Sequence, residues 1–299
     1  MGCTASGKSA LADELAVRLG GEVISSDSMQ VYRGMDIGTA KTPVSERKVP
    51  YHCIDICDPG QPYSAALFQH DSRAAIEDIR SRGKVPIICG GTFFYVRACL
   101  NQMDFAAGEQ EDNPVRDRYN ALAARLGAQG IWDYLHERDP QSAEVIHPNN
   151  TVRVVRALEM FEEGDSYARR KAAFKGVAEA IPSIKIGLAR DTQLLYDRIN
   201  KRVDDMVAEG LVAEVTGLLA QGFREGLTAQ AAIGYKEIVA ALDGLCTMDE
   251  AIEQIKMSTR RYSKRQRTWL RSEAGLNWIE ADGKTLDEIV AEALHLITA

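Results

Sequence analysis

No apolar run in the 299 residues approaches the ~18 that a membrane-spanning helix needs, and the N-terminus carries no signal-peptide pattern. Neither a membrane role nor secretion is therefore expected. The six cysteines, Cys3, Cys53, Cys57, Cys89, Cys99 and Cys246, are scattered. Cys53-x-x-x-Cys57 lacks the second pair that a zinc spacing requires, so buried thiols in a reducing cytoplasm are the expectation. Internal repeats and low-complexity segments are also missing. With 45% hydrophobic and 26% charged residues, the composition is that of a globular chain with room for one large core plus an insertion or small second domain.

One deficiency is local. The net charge of −7 argues against a surface coated for nucleic acid, yet no acid lies between Glu253 and Glu273, where Lys256, Arg260, Arg261, Lys264, Arg265, Arg267 and Arg271 are all basic. Lys256, Arg260, Lys264, Arg267 and Arg271 recur at helical spacing and form a stripe about 22 Å long at about 1.5 Å per residue. Ile255, Thr259, Tyr262, Gln266 and Trp269 fall on the opposite side, a face to pack. Such a stripe suits a polyphosphate backbone; a merely solvated face is the plainer alternative.

The run that organises the chain is Gly2-Cys3-Thr4-Ala5-Ser6-Gly7-Lys8-Ser9, which fits G-x-x-x-x-G-K-[ST]. Its glycines let the backbone curl so that successive N–H groups converge on an anion, and a helix opening at about Lys8 adds its positive end. Lys8 then offers a point charge to the outer phosphates, and the Ser9 hydroxyl a ligand for Mg²⁺. Leu11, Leu15 and Leu19 give the following helix an apolar face before Gly20-Gly21 ends it. A buried strand normally leads into such a loop, but only Met1 precedes Gly2, so the first strand is expected to be missing.

Three strand candidates follow: Glu22–Ser26, Tyr51–Ile56 and Val85–Cys89, alternating with helices, one capped by Ser64 and running to about Arg82. This alternation predicts an α/β fold with a parallel sheet flanked by helices. Asp27 sits just past a strand end, where ligands bind in such sheets; it reads as a base or metal ligand, or simply as a turn former. From about Met103 the pattern changes to an acidic loop over residues 104–113 and four helical segments, Val115–Leu126, Ile131–Arg138, Pro140–Ile146 and Asn150–Glu163, an all-helical insertion. The expected division is a core first half over residues 1–103, a helical insertion over 104–180 and a core second half over 181–299. Ile184–Leu188 and Leu276–Ile279 return to strand. On the helix Thr192–Glu209, Arg198 and Arg202 share a face that can clamp a diphosphate; pairing with Asp197 or Asp205 is the alternative.

Several stretches together resemble the tRNA dimethylallyltransferases (tRNA isopentenyltransferases): GCTASGKS at Gly2–Ser9, SDSMQVYRGMDIGTAK at Ser26–Lys41, DPGQPYSAALF at Asp58–Phe68, Gly90-Gly91-Thr92, Ile146–Asn149 with Arg153 and Arg156–Glu159, Gly234–Glu237, and SKRQRTWLR at Ser263–Arg271. The resemblance implies a P-loop NTPase-like core, Mg²⁺, and transfer of dimethylallyl from dimethylallyl diphosphate to the exocyclic amine of adenosine 37 in the tRNA anticodon stem–loop. It further implies Asp27 as general base, with Thr4, Lys8, Ser9 and Arg202 on the diphosphate and its metal, and Ser28, Met29 and Gln30 lining the flipped base. Contacts to tRNA would come from Thr92, Arg116, Val152, Arg153, Val154, Val155, Arg156, Gly234, Tyr235 and Lys236, and from Arg260, Lys264 and Arg265 of the basic helix. Cys3 replaces the family's usual proline, and Ala231 stands where a polar or basic residue is expected. A monomer is expected, because RNA would occupy the largest basic surface. Competing readings are a P-loop kinase of a small metabolite, an adenylate isopentenyltransferase, and an inactive RNA-binding relative.

Overall fold

In the computed structural model, which describes residues 1–105, 113–174, 176–226 and 228–298, the sheet is parallel and split in two. The elements run α1 (Lys8–Leu19), β1 (Gly21–Ser25), β2 (Tyr51–His52), α2 (Ala65–Ser81), β3 (Val85–Cys89), α3 (Phe93–Leu100), α4 (Pro114–Arg138), α5 (Pro140–Glu144), α6 (Thr151–Glu162), α7 (Tyr167–Ala173), β4 (Lys185–Ala189), α8 (Thr192–Glu209), α9 (Leu211–Leu219), α10 (Tyr235–Leu242), α11 (Met248–Arg271), β5 (Leu276–Glu280) and α12 (Leu286–Thr298). The chain divides into one unit of Met1–Leu100 with Ile181–Ala299, and a second of Asn101–Ala180. No described helix is long and apolar enough to cross a membrane.

In the first unit, β1 is buried along its whole length between β2 and β3, both parallel to it. The residues expected to extend β2 to Ile56 turn away instead. Cys53 and Asp55 hold left-handed φ values of 55° and 56°, and the Asp55 carboxylate pairs with the buried ammonium of Lys41. β4 pairs in parallel with β5, and Leu11 and Leu15 of α1 pack on Leu188, Ile279, Ile289 and Val290. Ser64 caps α2 as expected, accepting from Leu67 N at 3.2 Å.

The outer edges of β3 and β4 flank an apolar cleft of about 540 Å³, lined by Leu11, Leu15, Ile88, Val96 and Ile186. Met1 and Gly2 run alongside β4: Met1 O accepts from Leu188 N at 3.1 Å, and Gly2 bridges Leu188 in parallel.

At the start of β1, Glu22 is 1% exposed and accepts from His52 (2.7 Å), Lys84 (2.6 Å) and both guanidinium nitrogens of Arg82. The Arg82 contact first, and Lys84 and His52 after it, hold this carboxyl well below the usual range. A depressed carboxyl stabilises the fold above its unfolded pKa of about 4.3 and ceases to do so as pH falls toward the native value. Glu22→Gln therefore costs about 3 kcal/mol at neutral pH. Urea denaturation should show the gap from wild type narrowing as pH drops from 6 to 3. A gap constant over that range would mean that the charge of Glu22 contributes nothing.

The second unit is helical, and is described by itself. The expected helices Val115–Leu126 and Ile131–Arg138 both form within α4, and they meet at a kink where Gly127 leaves helical geometry at a φ of 72° and a ψ of 177°. The acidic loop expected over residues 104–113 falls mostly on 106–112, outside the described residues. α7 was not anticipated; its Tyr167 packs against a core that includes Tyr119, Ile131, Leu135, Val154 and Leu158.

Candidate active site

The phosphate loop owes its shape to two left-handed residues, Ala5 at φ 61° and Gly7 at φ 97°, and to Gly2, where a Cβ would lie 2.5 Å from Ser6 Oγ. Distant segments hold its backbone from outside. Arg190 Nε donates to Ser6 O (2.7 Å), Arg198 Nε to Ala5 O (2.8 Å), and Thr4 N to Oε1 of the buried Gln266 (2.8 Å). Among the described residues no side chain caps the first turn of α1, whose N–H groups have the polarity that suits an anion. Lys8 Nζ rests 3.5 Å from Cys3 O; burial pulls its pKa down, while nearby Cys89 and Asp27 pull it up. Ser9 is exposed at the start of the helix.

Asp27 follows β1. Its Oδ1 accepts from Met29 N at 3.0 Å, and among the described residues Oδ2 has no hydrogen-bond partner. Thr92 braces this turn, taking Ser28 N on its hydroxyl (3.0 Å) and donating its own N–H to Ser26 O (3.1 Å). Gln30 is held at both ends of its amide, by Ser25 Oγ (2.8 Å) and by Thr39 O (3.1 Å).

These residues open on a cleft of about 570 Å³ lined by Thr4, Asp27, Ser28 and Met29, by the loop Gly38–Ala40, and by Arg202, Arg261, Tyr262 and Arg265 from α8 and α11. Among the described residues Arg202 has no carboxylate partner, and burial followed by the neighbouring Arg198 guanidinium pulls its pKa below the ordinary value. Surface pairing does not account for these two arginines: Asp205 goes to Lys201 at 2.7 Å, and Asp197 accepts from Gln193 at 2.9 Å. An unpaired, desolvated guanidinium beside a phosphate loop is suited to an anion.

Other expectations are corrected. The basic stripe of α11 does not lie open to a polyphosphate: Lys256 pairs with Asp204 (2.8 Å), while Arg260 and Arg267 donate to Asn200 and Thr192, all along α8. Lys264 and Arg271 remain exposed, and the face expected to pack supplies the cleft through Ile255, Thr259 and Tyr262, while Gln266 Nε2 donates to Gly91 O at 2.9 Å. Tyr235, expected at RNA, is fully buried with its hydroxyl on Glu214 (2.6 Å), whereas Gly234 and Lys236 line the cleft.

In the helical unit, Val154 and Val155 are core residues rather than RNA contacts, while Val152 is 81% exposed and Arg153 is also exposed. Arg116 and Arg156 are not free cations. Both bind the buried Glu159, Arg116 through Nε (3.0 Å) and Nη2 (2.9 Å). Gln266, Arg190 and Arg261 carry parts of the site that sequence reasoning missed. Only Arg190 had a positional signal, lying just past a strand end.

The family model for IPP transferase matches residues 30–273. The tRNA dimethylallyltransferase of Carboxydothermus hydrogenoformans is 44% identical over 297 residues, covering 98% of this chain and 94% of that protein. Among solved structures, the tRNA delta(2)-isopentenylpyrophosphate transferase of Staphylococcus epidermidis superposes with a TM-score of 0.72 at 39% identity, covering 100% and 97% of the two chains. A eukaryotic dimethylallyltransferase acting on tRNA gives a TM-score of 0.76 at 29% identity, covering 99% of this chain and 78% of that one.

Proposed function

The chain belongs to the IPP transferase family, and from that premise we propose that it transfers a dimethylallyl group from dimethylallyl diphosphate to the exocyclic N6 amine of adenosine 37 in tRNA. The observation that carries this reading is Arg202, desolvated and, among the described residues, without an ion-pair partner, facing the same cleft as Thr4 of the phosphate loop and Asp27.

Adenine's amine is a weak nucleophile. As its nitrogen bonds to C1 of the dimethylallyl group, the C1–O bond to diphosphate breaks and Asp27 takes the amine proton. Negative charge collects on the leaving diphosphate, which the loop N–H groups, Lys8 and Arg202 stabilise most in the transition state. The base must leave its stack to reach Asp27, which is cheapest in a single-stranded loop. Ser28 and Met29 line the cleft, with Gln30 bracing them from Ser25 and Thr39, and exclusion of water once both substrates fill the cleft would protect the allylic cation-like centre from hydrolysis.

Among the described residues no three His, Cys, Asp or Glu cluster, a donor set suited to an ion carried in on the diphosphate rather than a resident one. Mg²⁺ retains waters and needs few protein oxygens, so the Ser9 hydroxyl fits it and Asp27 is left to accept the proton. When bound, it would neutralise charge on the leaving group.

The test incubates the chain with Mg²⁺, an anticodon stem–loop, labelled dimethylallyl diphosphate and, in parallel, labelled ATP. Prenyl label on the RNA with ATP untouched supports the reading; phosphate transfer from ATP would replace it with the kinase reading. Arg265, exposed beside the cleft with its guanidinium 5.7 Å from the Tyr262 ring, supports a contact to RNA. Arg265→Ala should weaken tRNA binding and flatten its log–log salt dependence by about one phosphate's worth, ~0.7–0.9 in slope. An unchanged slope would return Arg265 to an ordinary solvated side chain.

A further inference from the structure

We infer that Glu214, on α9 and outside the lining of the cleft, is a positioning residue that holds the wall formed by Gly38–Ala40. Its role in the reaction rests on the function proposed above. The Glu214 carboxylate accepts three consecutive backbone N–H groups: those of Asp36 (3.0 Å) and Ile37 (2.7 Å) on Oε2, and that of Gly38 (3.1 Å) on Oε1. The Tyr235 hydroxyl adds a fourth donor at 2.6 Å, with its pKa driven upward by burial and then by Glu214, so it stays protonated and donates. Successive N–H groups pointing one way form an anion-binding concavity, here filled by a carboxylate from the chain itself.

The contact is close enough to leave no slack. A Cβ on Gly38 would lie 2.5 Å from the Tyr235 ring. The other end of the loop is anchored independently by Lys41, whose side chain is 3% exposed and which binds Asp36 Oδ1 (2.8 Å) and Tyr32 O. Between these anchors the backbone turns through Ala40 at a left-handed φ of 52° and presents Thr39 O to Gln30 Nε2 at 3.1 Å. A continuous series thus runs from Glu214 through Gly38 and Thr39 to Gln30, and on to Ser25 Oγ at the end of β1. Asp27 lies two residues beyond Ser25 on the same turn. The carboxylate thus sets the position of the Gly38–Ala40 wall of the cleft from outside it.

Geometry errors of about 1 Å cost on the order of 10²-fold in rate. A glutamine at 214 keeps the shape but faces at least one N–H with its own NH₂, so Glu214→Gln should lower the single-turnover transfer rate about tenfold to a hundredfold. The KM for dimethylallyl diphosphate should stay near wild type, because the phosphate loop is untouched. Tyr235→Phe, which keeps the ring against Gly38, should cost less.

The deciding measurement is amide hydrogen exchange alongside kinetics. In Glu214→Gln, exchange should accelerate at Asp36, Ile37 and Gly38 while β1 stays protected. Unchanged exchange there, or acceleration spread evenly over the protein, overturns the inference; so does selective acceleration with a wild-type transfer rate. A wild-type chain that moves no prenyl group overturns the proposed function instead, and the exchange at 36–38 still decides whether Glu214 holds the loop.

Discussion

Asp27→Ala lowers the single-turnover rate of prenyl transfer ~10²–10⁴-fold and leaves tRNA binding nearly intact. The expectation follows from where the carboxylate sits. One oxygen is committed to Met29 N, the other has no hydrogen-bond partner among the described residues, and the residue lines a cleft that also holds Thr4 and Arg202. Removing it deletes the proton acceptor but leaves the phosphate loop, Arg202 and Arg265 in place. Asp27→Asn separates the two roles of the side chain. Asparagine still accepts from Met29 N and so preserves the turn, but cannot take a proton, and the loss should match that of alanine. Turnover retained in both variants would sink the general-base role; loss in alanine alone would make Asp27 a turn former.

Glu159→Ala destabilises the helical unit by ~3–5 kcal/mol, the cost of breaking a buried ion pair from one side. Glu159 is 0% exposed and accepts from Arg116 at 2.9 and 3.0 Å, from Asn113 at 2.9 Å and from Arg156. These donors join the start of α4 to the middle of α6, whose valines and leucines form the same unit's core. Alanine leaves the two guanidiniums without their shared anion and opens space in the core. Urea denaturation followed by Trp132, which packs against that core, should report the loss. A cost below about 1 kcal/mol would mean the arginines swing freely into water, and would reopen them as RNA contacts; tRNA binding with an unchanged salt slope would then close that possibility again.

The difference between these two residues shows what periodicity and motifs convey. Asp27 was legible because it follows a buried strand within a distinctive stretch, and position at a strand end needs only local information. Glu159 lies in a stretch that matches the family pattern, yet nothing local says that its carboxylate is the partner of Arg116, 43 residues away. The basic stripe failed for a related reason. Its spacing correctly gave one face of α11, but a helix face does not name its neighbour, and α8 presents Thr192, Asn200 and Asp204 along the same line. The strand expected over Tyr51–Ile56 ended early because Lys41, buried in a loop, draws Asp55 into a left-handed turn.

By itself the sequence determined the phosphate-loop motif, the parallel α/β core and the family. Each of these is written in contiguous residues, whose spacing and backbone preferences act over one or two turns of chain. Tertiary structure alone decided which side chains complete the site. Gln266 reaches Thr4 across 262 positions, Arg190 reaches Ser6 across 184, and Glu214 reaches the Asp36–Gly38 backbone across 176 to 178. These contacts depend on how helices stack against the sheet, and burial makes each of them specific, since a buried polar group must find a partner wherever the fold puts one.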